Sequence, residues 1–272
     1  MSGGRYVTAA ELVRLDEQLS RRERQIVRLL SVLSLMSGNQ LRRVCFADEK
    51  KGRSDPQVAR RVLLRLTRRG VLVRLTRRVG GVKRGSDGFT YRLGPVGQRL
   101  ACLWAGQGLS RGRSPVEPGE RFAAHRLALS ELYVRLHEAA ERGQLALLEF
   151  AAEPACWRAF NAPFRGAVTL KPDAFARIAV GADEEFELWW FIEIDRGTVS
   201  QATRARQAAA YRTYWRSGAH EVMPRVLWVT KDADTSERAT AAVEPDLEPK
   251  GLFVVTADAQ ALDAVVTAEV RS

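Results

Sequence analysis

The stretch Leu188-Trp189-Trp190-Phe191-Ile192 runs straight into Glu193-Ile194-Asp195. An apolar run of this kind reads as a strand, and ending it in two carboxylates restricts the chain to folds in which something offsets their burial. Side chains alternate along a strand, so Glu193 and Asp195 face the same side. Asp173, in Pro172-Asp173 at a neighbouring strand, is expected to join them in a three-carboxylate cluster. Oxygen clusters of this type hold Mg²⁺ or Mn²⁺, and bound Mg²⁺ is a common device for cutting phosphodiesters. The competing reading is a polar strand end that reaches solvent, and spacing alone favours it.

With 272 residues, one large or two modest domains are expected, and the 46% apolar share marks an ordinary globular chain. Cys45, Cys102 and Cys156 are far apart with no metal-ligand spacing, which predicts a reduced interior. The first residues lack the apolar core of a signal peptide, and no apolar run is long enough to span a bilayer. A soluble, cytoplasmic protein with no membrane partner is the expectation. The net charge of +11 is unevenly spread: residues 1–120 hold 25 Lys and Arg against 10 Asp and Glu, whereas 121–272 hold 18 against 22. That asymmetry points to a polyanion-binding module joined to something else.

Residues 8–19 and 20–36 read as two helices. Ser20 and Glu23 have the spacing of a capping box, and Ile26, Leu29, Leu30 and Leu33 recur at helical spacing. Gly38 is expected to end that helix before a short third one over Asn39–Phe46. Ser54-Asp55-Pro56 is a strong start signal for a helix that stops at Gly70. Val58, Ala59, Val62, Leu63 and Leu66 cover one face of it. Gln57, Arg60, Arg61, Arg65 and Arg68 collect on the other, with Leu64 the one apolar residue among them. Such a face suits the major groove, where Arg pairs with guanine and Gln with adenine; a solvated basic face is the plainer alternative. Val71–Thr76 and Phe89–Leu93 read as strands, and the Gly-rich stretch between them, with Arg77, Arg78, Lys83 and Arg84, reads as a basic hairpin loop. This order predicts a winged helix-turn-helix domain over residues 1–105, with Gln57–Arg68 as recognition helix and a closing helix over 95–105.

Residues 106–120 hold Gly106, Gly108, Gly112, Pro115, Pro118 and Gly119 without periodicity, a linker composition. Residues 121–272 then read as an α/β domain. A helix over Arg121–Arg142 precedes strands over Leu145–Ala151, Lys171–Val180 and Glu187–Asp195. A helix over Thr198–Arg216, a strand over Arg225–Thr230, a helix over Glu237–Glu244, a strand over Leu252–Thr256 and a helix over Ala259–Glu269 follow. The core order is α-β-β-β-α-β. His125, His137 and His220 lack ligand spacing, and Tyr211, Tyr214 and Trp215 read as core rather than as a base-stacking platform.

That order, with Pro-Asp on the second strand and Glu-x-Asp on the third, resembles the PD-(D/E)XK, or restriction-endonuclease-like, nuclease fold. Gln207-Ala208-Ala209-Ala210-Tyr211 resembles the Gln-x-x-x-Tyr element of its exonuclease branch. From about Leu12 to Thr230 the chain also resembles the replication-relaxation proteins of actinobacterial plasmids and integrative elements. The carriers are the winged helix, the strand Phe191–Gly197 and the Tyr-rich segment Tyr211-Arg212-Thr213-Tyr214-Trp215. The resemblance implies Asp173 and Glu193 as ligands of Mg²⁺ or Mn²⁺, with Glu131, Glu149 or Glu153 as a further acid. It also implies Gln207 and Tyr211 as orienting residues. Asp195 stands where the motif has its lysine; Arg196, Arg204, Arg206 and Lys171 are the basic residues close in sequence, and Arg206 could reach in from the helix instead.

Two functions follow as expectations. One is a mobile-element protein that finds duplex DNA with its winged helix and nicks or cuts it with Mg²⁺. The other is a non-catalytic regulator of replication, transfer or transcription whose nuclease-like domain is kept for binding or for forming a homodimer.

Overall fold

Three reciprocal caps start the N-terminal helices. In the computed structural model, which describes residues 7–47, 56–75, 89–107, 118–162, 166–181, 185–243 and 248–267, helix α1 spans Ala9–Gln18, α2 Arg21–Leu33 and α3 Gly38–Cys45. Thr8 with Glu11, Ser20 with Glu23 and Ser37 with Gln40 each form a capping box. In each, the hydroxyl accepts from the N3 amide while the N3 side chain accepts from the cap amide. Gly38 therefore begins a helix rather than ending one. Helix α2 stops earlier, at Ser34, whose φ of 66° turns the chain out of the helix.

Strand β1 (Met36–Ser37), helix α4 (Pro56–Arg68), strands β2 (Leu72–Leu75) and β3 (Thr90–Leu93) and helix α5 (Pro95–Trp104) follow. The three strands make an antiparallel sheet in the order β1-β3-β2. Leu12, Ile26, Leu33, Leu41, Leu66 and Leu100 are fully buried among these elements. Helix α5 lies against backbone: a Cβ on Gly97 would meet the Val71 carbonyl oxygen at 2.2 Å, so only glycine fits there.

The chain divides into two compact units, residues 1–134 and 135–272, and the division falls inside helix α6 (Glu120–Glu141), later than the Gly/Pro-rich stretch at 106–120. The first part of α6 belongs with the N-terminal elements. Ser130 Oγ donates to the Leu35 carbonyl at 2.6 Å, and Gln40 Nε2 donates to the Leu127 carbonyl at 3.0 Å.

The second unit contains strands β4 (Ala146–Ala152), β5 (Arg158–Ala162), β6 (Gly166–Leu170), β7 (Ala174–Val180) and β8 (Phe186–Asp195). Helix α7 (Gln201–Ser217), strand β9 (Arg225–Thr230), helix α8 (Ala233–Val243), strand β10 (Phe253–Ala257) and helix α9 (Ala261–Val266) complete it. The fold is mixed α/β. Its five-stranded sheet has the order β10-β9-β8-β7-β4, antiparallel from β4 to β8 and parallel from β8 to β10. β8 lies at the centre, and Trp190, Phe191 and Ile192 are each at most 1% exposed.

Between β4 and β7 the chain inserts the antiparallel hairpin β5–β6, which the sequence reading passed over. Its strands are short and built largely of small residues. They are held by tertiary burial instead, through Phe160, Ala162 and Leu170 in one cluster with Tyr211 and Tyr214 of α7.

Candidate functional site

The faces of α4 separate by side-chain type. Ala59, Leu63 and Leu66 are buried, while Gln57, Arg60, Arg61, Arg65 and Arg68 are all exposed. Val58 and Val62 are half-buried, and Leu64 is 42% exposed on the polar side. Arg65 has a second role: its Nε and Nη2 donate to Glu23 Oε1 at 3.1 and 2.8 Å, tying α4 to the start of α2. Burial pushes the Glu23 carboxyl up, but the Ser20 amide and hydroxyl and the Arg65 guanidinium outweigh it and hold the group below the ordinary range. Arg77, Arg78, Lys83 and Arg84 lie outside the described residues. Where β2 pairs with β3, the Arg74 guanidinium sits 3.9 Å from the Phe89 ring centre.

The second unit brings its carboxylates to the end of β8. Glu193 and Asp195 share the side of β8 that faces α7, and each meets a different residue of that helix. Asp195 is 4% exposed and forms a buried ion pair with Arg204, Oδ2 to Nε at 2.5 Å and Oδ1 to Nη2 at 3.2 Å. The Gly197 amide donates to Asp195 Oδ1 at 2.7 Å from a turn with φ of 73°. Asp195, expected from the sequence in the lysine position of a nuclease-like motif, is thus half of a structural ion pair.

Glu193, 6% exposed, accepts a 2.5 Å hydrogen bond from the Tyr211 hydroxyl. Asp173 stands across from it on the β7 side: its amide donates to the Ile192 carbonyl at 3.1 Å, and its Oδ2 accepts from the Ile194 amide at 2.8 Å. Glu153 donates its amide to the Asp173 carbonyl at 3.0 Å. Burial raises the Glu193 carboxyl well above its ordinary range. The nearby Asp173, Glu153 and Asp195 charges add to this, and the Tyr211 hydrogen bond only partly opposes them. Burial and the Glu193 charge likewise hold the Tyr211 hydroxyl in its protonated, donating form. Beside the group, burial pushes the Cys156 thiol up to about 12, and it donates to the Pro172 carbonyl at 3.1 Å.

Of the three acids left open by the sequence, only Glu153 joins this group. Glu149 is exposed on β4, opposite Arg177. Glu131 pairs with Arg43 at 2.5 Å in the N-terminal unit. Gln207 is half-buried on α7, while Arg206 is exposed, two residues round the helix from buried Arg204 and Ala208. Of the basic residues close in sequence, Arg204 rather than Arg206 is the one that meets Asp195. Its signal was its place seven residues before Tyr211, two helical turns on one face, matching two carboxylates on one face of a strand. Asp173 and Glu193 are oxygen donors of the kind that hold Mg²⁺ or Mn²⁺, and a cation would relieve the repulsion that raises Glu193. Among the described residues, no group of three or more His, Cys, Asp or Glu side chains is placed to hold a metal ion.

A family model described as replication-relaxation matches residues 27–226, most of the chain and parts of both units. The chain belongs to the replication-relaxation family. Comparison with curated proteins and with solved structures finds no match. Membership points to DNA-related work in mobile elements. Among the described residues of this family member, no helix is long and apolar enough to cross a membrane.

Removing Arg204 leaves Asp195 buried without its cation, so Arg204→Ala is expected to cost about 3–5 kcal/mol in denaturant unfolding. An unchanged midpoint would refute the anchoring role. Because the folded state raises the Glu193 carboxyl, its contribution is fully present below the ordinary value of 4.5 and is lost as pH rises toward the raised value. Glu193→Gln removes that loss. Its stability relative to the wild type is expected to increase with pH, by up to about 1.4 kcal/mol per unit. A pH-independent difference in thermal melts would contradict the shift.

Proposed function

We propose that this replication-relaxation protein binds duplex DNA of a mobile element through a winged helix-turn-helix domain whose recognition helix is α4. The C-terminal unit is read as a PD-(D/E)XK-type domain that serves binding or regulation rather than cleavage. The observation that carries the binding half is the single exposed face of Gln57, Arg60, Arg61, Arg65 and Arg68, set opposite the buried Ala59, Leu63 and Leu66. Arg forks match guanine O6 and N7, Gln matches adenine, and the remaining guanidiniums reach phosphates. The basic stretch between β2 and β3 adds Arg77, Arg78, Lys83 and Arg84 by sequence, as a wing would. Arg65, being committed to Glu23, is read as a phosphate contact at most.

The non-catalytic half rests on Asp195. A cleaving site of this type needs a cation beside the scissile phosphate, and here that position holds a carboxylate bound to Arg204. A second reading, Mg²⁺-dependent cleavage, is favoured by one feature: Asp173 and Glu153 crowd Glu193 and raise its carboxyl. In that reading Asp173 and Glu193 hold the metal, which supplies an activated water and charge stabilisation at the phosphate. In that reading Tyr211 fixes the orientation of Glu193, and Gln207 orients the metal water or the DNA strand.

Gel shifts against duplex DNA at several salt concentrations test the binding half. Arg60→Ala/Arg61→Ala is expected to weaken binding and to reduce the salt slope by about 2, roughly one per lost phosphate contact. Unchanged affinity and slope would remove α4 from the interface. Supercoiled plasmid incubated with the protein and Mg²⁺ or Mn²⁺ is expected to stay supercoiled. Nicked product that disappears in Asp173→Ala would establish the second reading instead.

A further inference from the structure

We propose that Leu64 is a specificity-determining residue that reads thymine, its side chain meeting the 5-methyl group of one thymine in the major groove. This rests on the reading of α4 as the recognition helix and adds to it the one contact its charged residues cannot make. Leu64 is 42% exposed and is the one apolar residue among Gln57, Arg60, Arg61, Arg65 and Arg68. At about 100° per residue it lies about 20° round the helix from Gln57 and about 40° from Arg60 and from Arg68, near the middle of the exposed face. The buried Ala59 and Leu66 lie about 140° and 160° away, so Leu64 points out of the fold rather than along its edge. It also stands well inside α4, which runs from Pro56 to Arg68, and not at an end of the helix.

A solitary exposed leucine is ordinary on a surface that stays in water. On a helix laid into the major groove it has consequences. The edges of guanine, adenine and cytosine present hydrogen-bond donors and acceptors there, and thymine adds a methyl group. A leucine placed over one of the first three strips water from polar groups and returns no hydrogen bond, which is unfavourable. Over thymine it buries apolar surface on both partners. Arg60 and Arg68 stand one turn to either side of Leu64, exposed on the same face. When these guanidiniums engage phosphates or guanines, the leucine between them is carried into the groove with them. Leu64 therefore distinguishes T·A from the other pairs at its position, whereas the arginines favour guanine or read no base at all.

The test removes the methyl group and nothing else. A pool of randomised duplexes is selected with the full chain, and the tightest duplex is resynthesised with deoxyuridine for thymidine at one position at a time. Deoxyuridine keeps every hydrogen-bonding group of thymidine. At one thymine per bound chain the replacement is expected to weaken binding about three- to fivefold, the effect of burying one methyl group. Leu64→Ala is expected to bind the two duplexes alike at that position, with the salt slope of the wild type, because alanine keeps the helix and the charges but cannot reach the methyl. Leu64→Met, close in volume and equal in reach, is expected to retain the difference. The proposal is overturned if no deoxyuridine replacement weakens binding, or if a folded Leu64→Ala variant discriminates as the wild type does. It also falls if no duplex is enriched, or if Arg60→Ala/Arg61→Ala leaves binding unchanged, and the α4 reading then falls with it. A chain that binds through Arg60 and Arg61 but shows no methyl effect loses the Leu64 assignment alone.

Discussion

A carboxylate at the end of a fully covered strand has to be met by a cation, and the way Asp195 is met organises the second unit. Arg204 reaches it from α7 with two nitrogens, the Gly197 amide donates to it from the turn, and its own carbonyl accepts from the Lys231 amide after β9. One residue therefore links the central strand, the helix laid over it and the next parallel strand. Replacing such a pair with apolar residues is often no less stable, so its value lies in specifying one arrangement rather than in net energy. Here the arrangement is the axial position of α7 along β8. With Arg204 fixed, Tyr211 two turns on comes to rest on Glu193, and Tyr211 and Tyr214 pack against Phe191 at 5.7 and 5.9 Å.

Two carboxylates separated by one residue thus meet different environments. Asp195 has a guanidinium, whereas Glu193 has a phenol on one side and Asp173 and Glu153 nearby. A hydrogen bond from a neutral donor cannot offset burial and like charge together, which is why the Glu193 carboxyl moves up. The same asymmetry makes the two carboxylates unequal toward any cation. Asp195 is saturated by its partner, so any cation recruited to this end of the sheet would have to be drawn by the Asp173 and Glu193 oxygens.

How far the sequence revealed this depended on whether a feature was local. The capping boxes of α2 and α4's division into apolar and basic faces are set by residues three and four apart, and both are present. β8 and β9 are long apolar runs, and they too are where the residues place them. The hairpin β5–β6 has no such pattern, because Phe160 and Leu170 find their partners on α7, far along the chain. Gly38 misled because glycine commonly ends helices; the deciding residues were Ser37 and Gln40, whose spacing is a capping box just as that of Ser20 and Glu23 is. The carboxylates of the site were visible, but the identity of their partners was not. Choosing Glu153 over Glu131 and Glu149 required the strand pairings, and recognising Arg204 required the position of α7 on the sheet.

The strong positive charge of the first 120 residues is a weaker sign of DNA binding than it looks, because part of it is spent inside the fold. Arg24 holds Asp16 and the Leu19 carbonyl, Arg22 the Cys45 carbonyl, Arg43 Glu131, and Arg99 the Val7 carbonyl. Long guanidinium side chains serve there as donors that close helix ends and join segments distant in sequence. Arg65 belongs partly to this set through Glu23. Arg60, Arg61 and Arg68 differ in being exposed together on one helix whose other face is core. A phosphate backbone responds to charges placed at its own spacing on a rigid support, not to a net count. The proposed DNA recognition therefore depends on the placement of these three residues with Gln57, and the total charge adds to it only through the residues the fold has not already used.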